Sequence, residues 1–151
     1  MKKIILIVLL FYGQLFALER ESTLKFYQHL FSSISGVHPI MVYVEDPEYK
    51  DVFGYAKNML LTNTVKSADV ILVTDARMLE RVLKQKASGS HTDKKMILFA
   101  TSYRLLKASK EVVGAFYWKK GRTQLLFVKD RLKAHGIVLS DEYKRFIVDE
   151  L

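Results

Sequence analysis

SADVILVTDARMLERVL, residues 67–83, decides how this chain is to be read. Val70, Ile71, Leu72 and Val73 form an unbroken apolar block between Asp69 and the pair Thr74-Asp75. A strand with one wet face alternates apolar and polar side chains, so a continuous apolar run implies cover on both faces, as in a parallel sheet between helices. Asp75 suits a helix N-cap. Beyond it Met78, Leu79, Val82 and Leu83 recur on one helical face. The stretch therefore predicts a buried strand followed by an amphipathic helix.

The same alternation continues on either side. Upstream, Ser22 to Ile34 carries Leu24, Tyr27, Leu30, Phe31 and Ile34 at helical spacing and stops at Gly36. Pro39 to Val44 predicts a strand, and Asp46-Pro47 a capped helix running to Leu60 with Val52, Phe53, Ala56, Met59 and Leu60 inward. Thr62 to Lys66 fits a short edge strand. Downstream, Ala87 to Lys95 is a polar loop, Met96 to Ala100 a second buried strand, and Tyr103 to Ser109 a short helix. Strands alternating with helices in this way give an α/β fold: a single-layer, mostly parallel sheet flanked by helices. It carries a C-terminal antiparallel hairpin and two short closing helices, Lys129 to His135 and one capped by Ser140 with Tyr143, Phe146 and Ile147 inward.

At 151 residues, half of them apolar, the chain can bury one core without disulfides or metal. Residues 1–17 read as a secretory signal: Lys2 and Lys3, an apolar run from Ile4 to Tyr12, then Gln14-Leu15-Phe16-Ala17 with a cut after Ala17. Residues 18–151 then form one exported domain, which in a bacterial cell is periplasmic. Losing two lysines and no acid lowers the net charge from +8 to +6. Such a surplus suits nucleic acid, but an exported domain rarely meets any. Anionic lipid or cell wall, a small anion, an acidic partner protein and a second copy of the chain are the partners the sequence admits.

Chemistry is sparsely represented. With no cysteine, a thiol nucleophile and a Cys-based zinc site are excluded. His29, His38, His91 and His135 lack metal-ligand spacing, and no nucleophile elbow or Gly-rich phosphate loop is present, so neither an enzyme, a metal nor a cofactor is called for. Each strand ends in polar residues: Glu45-Asp46, Thr74-Asp75 and Thr101-Ser102. Ligands of open α/β sheets collect there, which makes Thr74, Thr101 and Ser102 candidate donors to a small anion. Simple capping by Asp46, Asp75 and Ser102 explains the same residues.

The hairpin, Gly114 to Val128, pairs around Lys120-Gly121 so that Trp118 faces Thr123, Phe116 faces Leu125 and Gly114 faces Phe127. That face is apolar and expected on a core. Tyr117 opposite Gln124, and Lys119 opposite Arg122, occupy the other. Tyr117, the edge of Trp118, Lys119 and Arg122 are thus the candidate partner-binding residues, since Tyr, Trp and Arg are enriched at interface hot spots.

Taken in order, the leading helix, Val44-Glu45-Asp46-Pro47, Ala68 to Val73, Met96 to Thr101, the hairpin Gly114 to Val128 and the block from Phe127 to Phe146 resemble the YfiR-type periplasmic proteins. The likeness covers most of residues 18–151 and lies in pattern more than in identical residues. It implies a non-enzymatic periplasmic regulator that binds the periplasmic part of an inner-membrane signalling protein such as a diguanylate cyclase. Two departures stand out: the stretch from Asn58 to Ala68 is short for that family, and the cysteines many members carry are absent. No family site residue transfers. The alternative is a single-lobe solute-binding protein related to anion- and amino-acid-binding transport proteins.

Overall fold

A computed structural model describes residues 2–89 and 95–151, with side chains from residue 19 onward. Seven strands form one sheet in the order β2-β1-β3-β4-β5-β6-β7. In chain order these are β1 (Ile40–Tyr43), β2 (Met59–Leu61), β3 (Val70–Val73), β4 (Ile97–Ala100), β5 (Val112–Lys119), β6 (Arg122–Val128) and β7 (Ile147–Val148). The helices are α1 (Lys2–Ser35), α2 (Pro47–Phe53), α3 (Ala76–Ser88), α4 (Tyr103–Ala108), α5 (Lys129–Ala134) and α6 (Asp141–Lys144). All neighbouring strands run parallel except β5 and β6, which form the antiparallel hairpin. The α/β class, the parallel sheet and the hairpin are as the sequence led us to expect.

Both buried-strand readings hold, and the side-chain alternation explains them. Val70 and Leu72 of β3, with Ile97 and Phe99 of β4, pack on one face, under α1 and α2. Ile71 and Val73, with Leu98 and Ala100, pack on the other, under α3 and α4. Each face has its own helices, so a polar residue anywhere on these two strands would be stranded.

Four expectations are corrected. The first helix does not begin near Ser22: α1 is continuous from Lys2. The second ends at Phe53 with Gly54 as its C-cap, and Met59–Leu61, read as its last turn, is instead the edge strand β2, paired with β1. Thr62 to Lys66, read as that edge strand, lies beyond it and leads into a 3-10 turn at Val65–Ser67. The last helix is only Asp141–Lys144. Ser140 makes no capping bond to it, and Ile147–Val148 forms β7 against β6. Part of the polar loop, with His91, lies outside the described residues.

The hairpin has the residue pairs read from the sequence, from Gly114 opposite Phe127 to Lys119 opposite Arg122. Its base differs from expectation in having both faces covered: Val113, Leu125 and Phe127 join one core and Val112, Ala115 and Val128 the other. Gly114 sits mid-strand because no side chain fits there. A Cβ would lie 2.6 Å from the Leu126 carbonyl oxygen, 2.7 Å from Phe127 Cδ1 and 2.9 Å from Phe99 Cε2. The β4–β5 register also shifts between Leu98 and Phe99, at this same crossing.

Candidate functional site

Two places could carry function: the carboxyl ends of the parallel strands and the tip of the hairpin. The order β2-β1-β3 reverses direction between β1 and β3, which is where open α/β sheets leave a crevice. Here side chains from its own walls bridge that position. Glu45, just past β1, accepts from the Tyr43 hydroxyl at 2.9 Å and pairs with Arg81 of α3.

The three helix caps are made. Asp46 accepts from the Glu48 and Tyr49 N–H groups (2.8 and 3.3 Å), Asp75 from Met78 N–H (2.9 Å) and Ser102 from Leu105 N–H (3.2 Å). The other two candidate donors turn to their own surroundings. Thr74 Oγ1 donates to Met78 Sδ at 3.8 Å, and Thr101 Oγ1 to the Val73 carbonyl at 3.4 Å. Thr74, Thr101 and Ser102 therefore adjoin at neighbouring strand ends with all three hydroxyls in local bonds. Glu45, Asp46 and Asp75 share that end of the sheet, and their charge opposes an anion.

At the hairpin the geometry is open. Lys120 has φ 50° and Gly121 φ 75°, so both turn residues are left-handed, as a two-residue hairpin turn of the I′ type requires. The two strands hold the side chains at the tip in a fixed alternation. Tyr117 packs against Tyr103 of α4, with ring centroids 5.8 Å apart and planes tilted by 45°, and is half-buried there. Burial, and then Tyr103 beside it, push the Tyr117 phenol up. Lys119 Nζ and Lys107 Nζ lie 5.7 and 5.9 Å from the centre of the Tyr103 ring, so both cations meet that one ring.

Trp118, on the opposite face, is 70% exposed, although its alternation groups it with the core residues Phe116 and Leu125. The reason is the reach of the described part of α1: Phe26 covers Phe116 at 4.1 Å between centroids, and among the described side chains the helix makes no aromatic contact nearer the tip. Below Trp118 on this face, a cavity of about 360 Å³ is lined by Phe26, Phe116, Thr123, Tyr143, Arg145 and Phe146, among others. Arg145 lies over the Phe146 ring at 4.8 Å.

Among the described residues, Lys107, Lys119, Lys120 and Arg122 make no ion pair. The tip thus carries an exposed indole on one face and, on the other, the Tyr117–Tyr103 pair with Lys107 and Lys119 at the Tyr103 ring. All four partner-binding candidates lie at this tip. Sequence reasoning missed Tyr103 and Lys107, both of α4, and Arg145, the C-cap residue of α6. The signal for the first two was Tyr103 and Lys107 at i, i+4 on one helix.

No family model and no curated protein matches this chain. Among solved structures it is similar to a conserved domain protein from Vibrio cholerae O1 biovar El Tor strain N16961, with a TM-score of 0.56 at 8% identity. The match covers 83% of this chain and 59% of that one, so this chain spans under two thirds of that protein's length. At so low an identity the likeness establishes the α/β fold that the two share.

Proposed function

We propose that this protein is a non-enzymatic periplasmic interaction module that docks its hairpin tip on the periplasmic part of an inner-membrane signalling protein. The observation that carries the reading is Trp118: a large indole, 70% exposed, flanked by Lys119, Lys120 and Arg122. Tryptophan is enriched at interface hot spots, and the basic tip that carries it favours an acidic, partly apolar partner face. The signal-like residues 1–17 and the YfiR-type pattern support the compartment and the class of partner. Trp118 would supply the buried anchor, Tyr117 and Tyr103 an aromatic pair, and Lys119 and Arg122 the steering charge.

The test is retention of solubilised inner-membrane proteins by the immobilised protein, with Trp118→Ala and Lys119→Glu forms in parallel. The outer domain of any protein held by the wild type is then titrated directly. We expect one signalling protein to be retained, binding to fall at least about tenfold for Trp118→Ala, and affinity to drop as salt rises. Equal retention by all three forms would defeat the reading.

A further inference from the structure

The two edges of the sheet differ in a way that assigns one of them a partner. β7 is two residues long and flanked by Lys144, Arg145, Asp149 and Glu150, the charged protection usual at an edge meant to stay unpaired. β2 is less protected: Lys57 lies two residues before it, but from Asn58 to Val65 the chain carries neither a charge nor a proline. Leu60 and Leu61 are 46% and 38% exposed.

The backbone of β2 narrows what can sit there. The Asn58 carbonyl accepts from Ile40 N–H at 3.0 Å and Thr62 N–H donates to the Val42 carbonyl at 2.9 Å, so residues 58, 60 and 62 turn towards β1. Met59 and Leu61, by alternation, turn their N–H and C=O groups to the open side. Among the described residues no strand pairs with them. A row of alternating donors and acceptors between leucine side chains is met by another strand.

We propose that the occupant is β2 of a second copy of this chain, antiparallel and centred on Leu60. In that register Met59 pairs with Leu61 of the partner subunit, and Leu60 faces its own equivalent across the twofold axis. Asn58 meets Thr62 of the partner subunit, and Lys57 meets Asn63 of the partner subunit. No like charges stand opposite each other along the strand, although the chain as a whole is strongly basic. The contact is isologous, so it closes at two copies and joins their sheets into one of fourteen strands. β2 lies four strand spacings from β5, about 19 Å at 4.8 Å each, so pairing leaves both hairpin tips free. The inference is independent of what the tip binds.

Sedimentation equilibrium of the purified protein tests it. The wild type should be a dimer that dissociates on dilution. Leu60→Asp and Leu60→Lys, each placing like charges face to face on the axis, should each weaken it at least about 100-fold. An equimolar mixture of the two should dimerise again, which also shows that both variants are folded. Leu60→Cys, in a chain with no cysteine of its own, should form an intermolecular disulfide on mild oxidation. A wild type that stays monomeric over the concentration range, a dimer indifferent to both charged variants, or open-ended aggregation would each overturn the proposal.

Discussion

Replacing Arg131 with methionine should destabilise the domain by about 2–4 kcal/mol, and the figure follows from where its guanidinium is held. Nη1 donates towards three main-chain carbonyls: Leu106 at 2.8 Å, Ser109 at 2.9 Å and Val112 at 2.8 Å. One nitrogen has two hydrogens, so three acceptors amount to two full bonds, one of them shared. Charge-assisted bonds contribute roughly 1.5–3 kcal/mol each, and partial exposure lets water replace some of that on removal. The acceptors span the C-terminal end of α4 and the first residue of β5, where helix carbonyls lack intrahelical donors. Methionine keeps the stem packed and removes only the head. Burial lowers the Arg131 pKa, but a guanidinium stays charged across the working pH range, so its loss should depend little on salt. The assay is urea unfolding at low and high ionic strength. Lysine, a point charge without the planar fork, should recover under half of the loss. A cost below about 0.5 kcal/mol for Arg131→Met would refute the reasoning, because the three carbonyls would then be satisfied without it.

Gly114→Ala should cost about 3 kcal/mol, the upper range for overpacking, since the new methyl meets a backbone oxygen and two ring carbons under 3.0 Å; the urea midpoint reads it. Tyr27→Phe should be neutral to about 1 kcal/mol stabilising at pH 7, because the fully buried Tyr27 hydroxyl has no hydrogen-bond partner. Burial, with Tyr49 adding to it although the two hydroxyls do not reach bonding geometry, raises the Tyr27 phenol well above 10.0. A raised pKa stabilises the fold below the unfolded value and is lost as pH rises above it, so the wild type should lose stability faster than Tyr27→Phe in thermal melts above pH 10. Lys120→Asn should stabilise by about 0.5–1 kcal/mol, since asparagine tolerates the left-handed turn position better than lysine. The same substitution removes a cation from the tip and should weaken partner binding in the titration described above.

Much of the fold was legible because it depends on short-range pattern. Val70 to Val73 and Ile97 to Ala100 are apolar without a break, which only a doubly covered strand tolerates, and period-two alternation about Lys120-Gly121 sets the hairpin register. The misreadings have a common cause. Val52, Phe53, Ala56, Met59 and Leu60 keep helical spacing across the end of α2, but Gly54 stops the helix and β1 offers Met59–Leu61 a ladder. Phe146 and Ile147 likewise fit a helix opened at Ser140, yet the free side of β6 captures them. Partners distant in sequence decided both, and a three- or two-residue strand is too short to show alternation of its own.

The candidate site was legible in part for the same reason. Its residues could be listed, but which of them are exposed depends on how far the covering elements reach. Tyr117, expected in solvent, is drawn down by Tyr103, which β4 and the Ser102 cap place beside it. Trp118, expected largely on the core, is left open because, among the described side chains, the aromatic contacts of α1 to β5 end at Phe116. The exchange sharpens the functional argument. A tryptophan that strand alternation alone would bury is instead left open at a basic hairpin tip, because the cover of its face ends short of it. Under the proposed function, a partner completes that cover.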